Sequence, residues 1–354
     1  MIKVLMCGNH PSNKGGMTSV ITQIREHDWV KEGIELSFVP TYYPGKKWKT
    51  AGCFVYAYLK VLFTFLFKKP DVFYTHMSVR GSFSRTKMLH RLCRFFKIPD
   101  VIHLHGSEFA QWYDAETEDK KQSIQTLIRE SGAFIVLGNR WENFVRGIAP
   151  DANVIQLHNC IRIPETVALW HEDGVRYLYM GVLIPRKGVI DLLKAIKLLA
   201  DYKKIGKCSF DIAGSGPEEE KLKRFVKENA LEEYVRFHGW ITGERKTQLL
   251  ENANVLVLPS YNEGLPVAIL EAMSFGLPVI STTVGDISDA VQEGKNGYLI
   301  TPGDVETLAD RISALAKKEM WTVFSAESRQ IAKQSFNIEQ FYTDLLSVWE
   351  SALG

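Results

Sequence analysis

The stretch VLVLPSYNEGLPVAILEAMSFGLPVIS, residues 255–281, decides the fold. Its first part, VLVLPS, is a short continuous apolar run ending at Pro259, the pattern of a strand buried on both faces. AILEAMSF then predicts a helix over residues 268–275, and VIS a second strand at Val279–Ser281. Strand, helix and strand in so short a span make a βαβ unit, whose strands lie parallel. The same alternation continues outward. Arg176–Met180, Ser209–Ala213 and Val235–His238 are strand-like, with helices over Asp191–Lys203, Glu218–Glu228, Arg245–Asn252 and Val305–Lys317. Further upstream, strands at Ile2–Cys7, Val72–His76, Val101–His105 and Phe134–Leu137 are separated by helical patterns including Thr18–Glu26, Cys53–Phe67 and Ser123–Glu130. Two β-α series predict an α/β protein with two Rossmann-like doubly wound domains facing across a cleft. The first domain spans residues 1–165 and the second 166–335. A last helix is read at Ile338–Leu353, within residues 336–354. The join falls near residues 160–172, where polar residues gather around a proline. In such sheets ligands bind at the carboxyl ends of strands, so the chemistry belongs in the loops that follow them.

The bulk numbers agree. A chain of 354 residues, 45% apolar and 24% charged, suits two soluble α/β domains. The net charge of +2 conceals an asymmetry: residues 1–170 carry 22 Lys/Arg against 15 Asp/Glu, and the remainder carries 21 against 26. The five cysteines are scattered, with no CxxC pair, which fits a reducing cytoplasm and excludes a cysteine metal cluster. The N-terminus lacks the basic n-region of a signal peptide.

Within the decisive stretch, Glu263 and Glu271 stand eight residues apart. A helix starting near Leu265 puts Glu263 at its mouth and Glu271 one to two turns inside. Carboxylates make paired hydrogen bonds to vicinal diols, so the first suits a sugar and the second a ribose. The N–H groups of Gly264 and Leu265 would then face an anion. An acid at a helix mouth also balances the dipole, and a second Glu can simply be solvated; Glu271, however, lies in the apolar run AILEAMSFG and needs a partner. Lys187, just before Gly188 and a helix, can neutralise a diphosphate, with Arg186 beside it. Gly15 and Gly16 precede a helix and allow close approach of a phosphate, or serve only a tight turn. Gly214 and Gly216 in GSGP have the same two readings beside a base or ribose, and Trp240 suits a nucleobase or simple packing. His103 and His105 alternate on one strand face; only position separates them. His76 is a further candidate, and Asn159 orders the linker. No DxD triplet is present to bridge a diphosphate through a metal, so we expect no metal.

These segments together resemble the family 4 retaining glycosyltransferases of GT-B fold. SYNEGLPVAILEAMSFGLPVI is similar to that family's Glu-x7-Glu signature, and GVLIPRKGVIDLLKAI to its phosphate-binding strand-loop-helix. DIAGSGPEEEKLK, VRFHGW, LLENANVLVLPS, NKGGMTSVI, VIHLHGSEF and HNCIRIP resemble further motifs in the family's order. The resemblance implies transfer of a sugar from a nucleotide-sugar, a UDP-sugar before a GDP-sugar, to an acceptor hydroxyl with retention. It selects His105 as the group on the donor sugar, assigns Glu263, Lys187, Glu271 and the two glycine loops to the donor, and implies that the last helix, Ile338–Leu353, crosses back to the first domain. Val182 stands where the family usually has Arg, a departure that Arg186 would compensate. An epimerase of similar architecture and a silent nucleotide-sugar-binding protein are the alternative functions.

Residues 42–97 hold twelve Lys/Arg, Lys46 and Lys47 among them, and one acid, Asp71. Inside them CFVYAYLKVLFTFLF is shorter than the ~20 apolar residues of a membrane span. It reads as a core helix, or as a helix lying peripherally on an anionic membrane, which would place the protein on the inner face of the cell membrane with a lipid-linked or saccharide acceptor. No nucleic-acid motif accompanies the charge.

Overall fold

A computed structural model describes residues 1–13, 15–45 and 47–354. Lys46 and the Lys47 side chain lie outside the described residues. The chain forms two units: Met1–Asn159 with Glu339–Gly354, and Cys160–Ile338.

The first unit is built on six strands: β1 (Ile2–Asn9), β2 (Ile34–Tyr42), β3 (Val72–Met77), β4 (Asp100–Leu104), β5 (Ala133–Val136) and β6 (Val154–Gln156). They pair in parallel in the order β2-β1-β3-β4-β5-β6. Every residue of β3, β4 and β5 is buried, which explains their unbroken apolar runs. Strands β2 and β6 are additions to the strands expected from sequence. Strand β2 is a half-exposed edge carrying Pro40, which pattern reading demotes, and β6 has three residues. Helix Gly81–Phe96 is a further addition, because its basic surface masks the buried Phe83, Leu89 and Cys93.

Helix Ile338–Ser351 completes this unit. Trp349 is fully buried against Trp29, 4.7 Å between ring centroids, and Tyr74, 5.5 Å. The Tyr342 hydroxyl donates to the Gln23 carbonyl at 3.0 Å.

The apolar run 53–67 belongs to a longer helix, Lys47–Phe67. Its Trp48–Phe67 portion is long and apolar enough to cross a bilayer, which corrects the length limit set from sequence. The helix gains its extra turns from KWKTAG, whose residues carry no helix breaker except Gly52.

The second unit holds β7 (Val175–Met180), β8 (Cys208–Ala213), β9 (Val235–Gly239), β10 (Val255–Leu258), β11 (Val279–Thr282) and β12 (Gly297–Ile300). All pairs are parallel, in the order β12-β11-β10-β7-β8-β9. This is the dinucleotide-binding strand order, and its direction reverses between β7 and β10. A crevice therefore opens at the carboxyl ends of these two strands. Helix Val267–Ser274 begins two residues later than Leu265. Pro266 caps it, and a residue before proline is held out of the helical region. Gly264 and Leu265 thus precede the helix, a correction to the helix start near Leu265, and the helix's own free N–H groups start at Val267.

Candidate active site

The loop after β7 runs through one tight turn, Pro185–Lys187, into helix Val189–Asp201. Pro185 pre-sets the first dihedral of the turn. Gly188 closes it at φ 68, and a Cβ there would lie 1.9 Å from the Pro259 carbonyl oxygen. The β7 loop consequently presses on the exit of β10. The Tyr261 N–H donates to the Arg186 carbonyl at 2.8 Å, and Arg186 Nη1 donates to the Asn262 carbonyl at 3.0 Å. This lacing brings Lys187 Nζ to 2.5 Å from Glu263 Oε1. The pair is largely withdrawn from water, with Glu263 only 7% exposed. Beside it in sequence, the buried oxygens Ser260 Oγ and Asn262 Oδ1 have no hydrogen-bond partner among the described residues. Tyr179 is also near: burial and the Glu263 charge push its hydroxyl well above the ordinary range. It donates to the Val182 carbonyl at 3.2 Å, so Val182 contributes a backbone acceptor and no charge.

The other second-unit candidates follow the same sheet edge. Gly214 and Gly216 come after β8. A Cβ on Gly214 would stand 1.8 Å from the Gly181 oxygen, and one on Gly216 2.3 Å from the Leu183 oxygen. Their smallness therefore serves close packing of the β8 loop on the β7 loop, where Leu183 N–H donates to Ser215 O at 3.1 Å. Trp240 follows β9 and is 37% exposed. Glu271, in the first turns of helix Val267–Ser274, accepts from Lys246 Nζ at 2.6 Å. The apolar setting of Glu271 announced a partner; Lys246 could not be chosen from GERKTQLLEN, which reads as a solvated helix.

The first unit gathers its candidates after β1, β3 and β4. Gly15 caps helix Gly16–Glu26 at φ 133, with open space where a Cβ would stand. Thr18 and Ser19 N–H groups donate to its carbonyl. Parallel register sets His76 on β3 opposite His103 on β4, and His105 follows on the same face. Structure now separates the two β4 histidines. His103 is fully buried, its Nδ1 2.7 Å from the Tyr74 hydroxyl. His105 is half-buried, and its Nε2 lies 2.9 Å from His76 Nδ1. His76 is thus the direct neighbour that orients His105, a role the sequence did not show.

Ligand nitrogens of the three rings lie within 4.8 Å of one another. The rings stack at 27–32°, and the His76–His105 hydrogen bond occupies one nitrogen of each. Burial holds His76 and His103 well below their usual range and lowers His105 to about 3. The trio is therefore neutral at physiological pH. In the unfolded chain these groups titrate near 6.5, so unfolding takes up protons between pH 6.5 and about 3. Their contribution to stability is complete above pH 6.5 and is lost as pH falls. The unfolding free energy from urea titration is expected to fall between pH 7.5 and 5.5, by up to about 1.4 kcal/mol per pH unit and histidine, and the midpoint with it; His105→Asn should flatten that slope. A pH-independent midpoint would contradict neutral burial.

Comparison with known proteins agrees with this fold. Residues 166–335, just under half of the chain, match the family described as Glycosyl transferases group 1. The chain is similar to the amylovoran biosynthesis glycosyltransferase AmsK of Erwinia amylovora, with 26% identity over 298 residues, 80% of this chain and 71% of that protein. Among solved structures, sucrose-phosphate synthase from Thermosynechococcus elongatus superposes with a TM-score of 0.83 at 18% identity, covering 99% of this chain and 98% of the other. Anabaena HepE in complex with UDP-glucose gives 0.78 at 17% identity, covering 99% and 100%. The fold is that of the GT-B glycosyltransferases: two Rossmann-like units with parallel sheets.

Proposed function

We propose that this chain, a glycosyltransferase by the family of its C-terminal unit and the fold of both units, is a retaining family 4 enzyme. Its donor is a nucleotide-sugar, UDP-linked before GDP-linked. Its acceptor is a hydroxyl on a lipid-linked or saccharide molecule, in cell-surface polysaccharide or glycolipid synthesis on the cytoplasmic side of the membrane. The Lys187–Glu263 pair at the β7/β10 switch point carries this reading. An ammonium has three N–H donors, and the bond to Glu263 uses one. The others can hold the departing diphosphate, while the second Glu263 oxygen accepts from a sugar hydroxyl. Glu271 and Lys246 form a matched acceptor and donor for the ribose, and Trp240 offers a face to the base. In the proposed step the bond from the anomeric carbon to the diphosphate oxygen breaks. The acceptor oxygen bonds to that carbon on the same face, and its proton passes to the leaving phosphate. His105, held neutral, serves the donor sugar as a hydrogen-bonding group.

The test is turnover of a nucleotide-sugar panel with and without membrane extract, in excess EDTA and without it. We expect donor consumption that depends on an acceptor and survives chelation, since basic side chains can stabilise the leaving charge in place of a metal. Consumption without acceptor would indicate an epimerase. Binding without turnover would indicate a silent binding protein, and loss on chelation rescued by manganese would overturn the metal-free mechanism.

A further inference from the structure

Helix Lys47–Phe67 is apolar on both sides. Ala57, Val61 and Phe65 point inward and are buried with Leu5, Cys7, Val39 and Phe73 of the first unit's core. On the opposite side Trp48, Val55, Tyr56, Leu59, Phe63, Leu66 and Phe67 are each 50–70% exposed. At 100° per residue these seven fall in one stripe of about 120°, centred opposite the buried three, along roughly 30 Å of helix. On the neighbouring helix Gly81–Phe96, Phe95 is 79% exposed; the two helices touch through Phe65 and Phe96. In the most apolar window of the helix only 17% is buried, so this is no ordinary core helix. Monomeric proteins rarely expose so much contiguous apolar surface without a partner.

The rim says what the partner is. Lys49, Lys60, Lys68, Lys69 and Lys97 are exposed around the stripe. Lys49 lies over the Trp48 ring and Lys60 over the Tyr56 ring, the arrangement in which stems cover apolar surface and the charges stand at its edge. Asp71, the one acid of this segment, accepts from the Lys3 backbone N–H. We infer that this face docks on an anionic lipid bilayer, with the helix lying in the interface. It cannot span, because its inner face is part of the core of the sheet. A second copy of this chain fits poorly, since a two-fold contact would set like-charged rims against each other.

The full chain should co-sediment with phosphatidylglycerol-containing vesicles at low salt and be released by high salt, while sedimenting poorly with phosphatidylcholine vesicles. Each basic side chain at such a surface changes partitioning about fivefold. Reversing Lys49, Lys60, Lys68 and Lys69 to Glu should therefore lower it at least ~100-fold. Leu59→Ser, Phe63→Ser and Phe67→Ser together should also abolish sedimentation although the charge is intact. Both sets lie on the surface and should keep the far-ultraviolet dichroism and the UDP-induced thermal shift of the parent, so loss of docking is read separately from loss of the donor site. Equal sedimentation on neutral and anionic vesicles, or none at low salt, overturns the proposal. So does a dimer in solution that the serine variant converts to monomer.

Discussion

Glu263→Gln is expected to lower turnover at least ~100-fold and also to lower the unfolding midpoint, because Lys187 keeps its charge and loses its ion partner. The loss of turnover corresponds to about 2.7–4 kcal/mol, the worth of one charge-stabilising contact in a water-excluded site. Glutamine keeps the volume and a hydrogen bond but removes the charge that faces Lys187 Nζ at 2.5 Å. Alanine at either position is a harsher change. Lys187→Ala leaves the Glu263 carboxylate buried and unpaired, a situation that costs about 3–5 kcal/mol. The two single alanine variants should therefore both unfold earlier than the double variant, in which neither charge remains. Turnover near the parent's in Glu263→Gln and Lys187→Met together would remove the pair from the donor site.

Gly188→Ala should be nearly as damaging, although the residue carries no functional group. Its φ of 68 strains any L side chain, by about 1–3 kcal/mol. The added Cβ would also meet the Pro259 carbonyl oxygen at 1.9 Å, and backbone cannot yield as a flexible side chain can. The β7 loop must shift away from β10, carrying Lys187 with it. A displacement of about 1 Å in a positioning group can cost ~100-fold in rate. We expect a lower midpoint together with turnover reduced on the order of 100-fold. An active variant of parental stability would show that the two loops are not rigidly coupled.

The residues proposed for this site are legible because each announces itself locally. VLVLPS is apolar without interruption because β10 is central, and the strand is found at Val255–Leu258 as read. Glu263 and Lys187 stood at the ends of such runs. What was not legible were the partners. Lys246 meets Glu271 from another helix, and His76 meets His105 only because β3 and β4 pair in one particular register. Local pattern holds no information on register. Strand β2 was hidden for a different reason: an edge strand with one solvated side and a proline lacks the periodicity that reveals a strand. The exposed face of helix Lys47–Phe67 was ambiguous because an apolar residue has the same letter whether it meets core or lipid.

Helix Ile338–Ser351 makes the first unit discontinuous in the chain. During synthesis, Met1–Asn159 emerges first, yet its Trp29 and Tyr74 cannot close around Trp349 until the second unit has been made. The usual vectorial order, N-terminal domain before C-terminal, is therefore inverted in its final step: residues 160–338 can finish folding while the earlier unit waits for its closing helix. A truncation after residue 335 would not isolate two domains but would leave the first with an open apolar groove. To express that unit alone, the helix must be spliced directly behind Asn159.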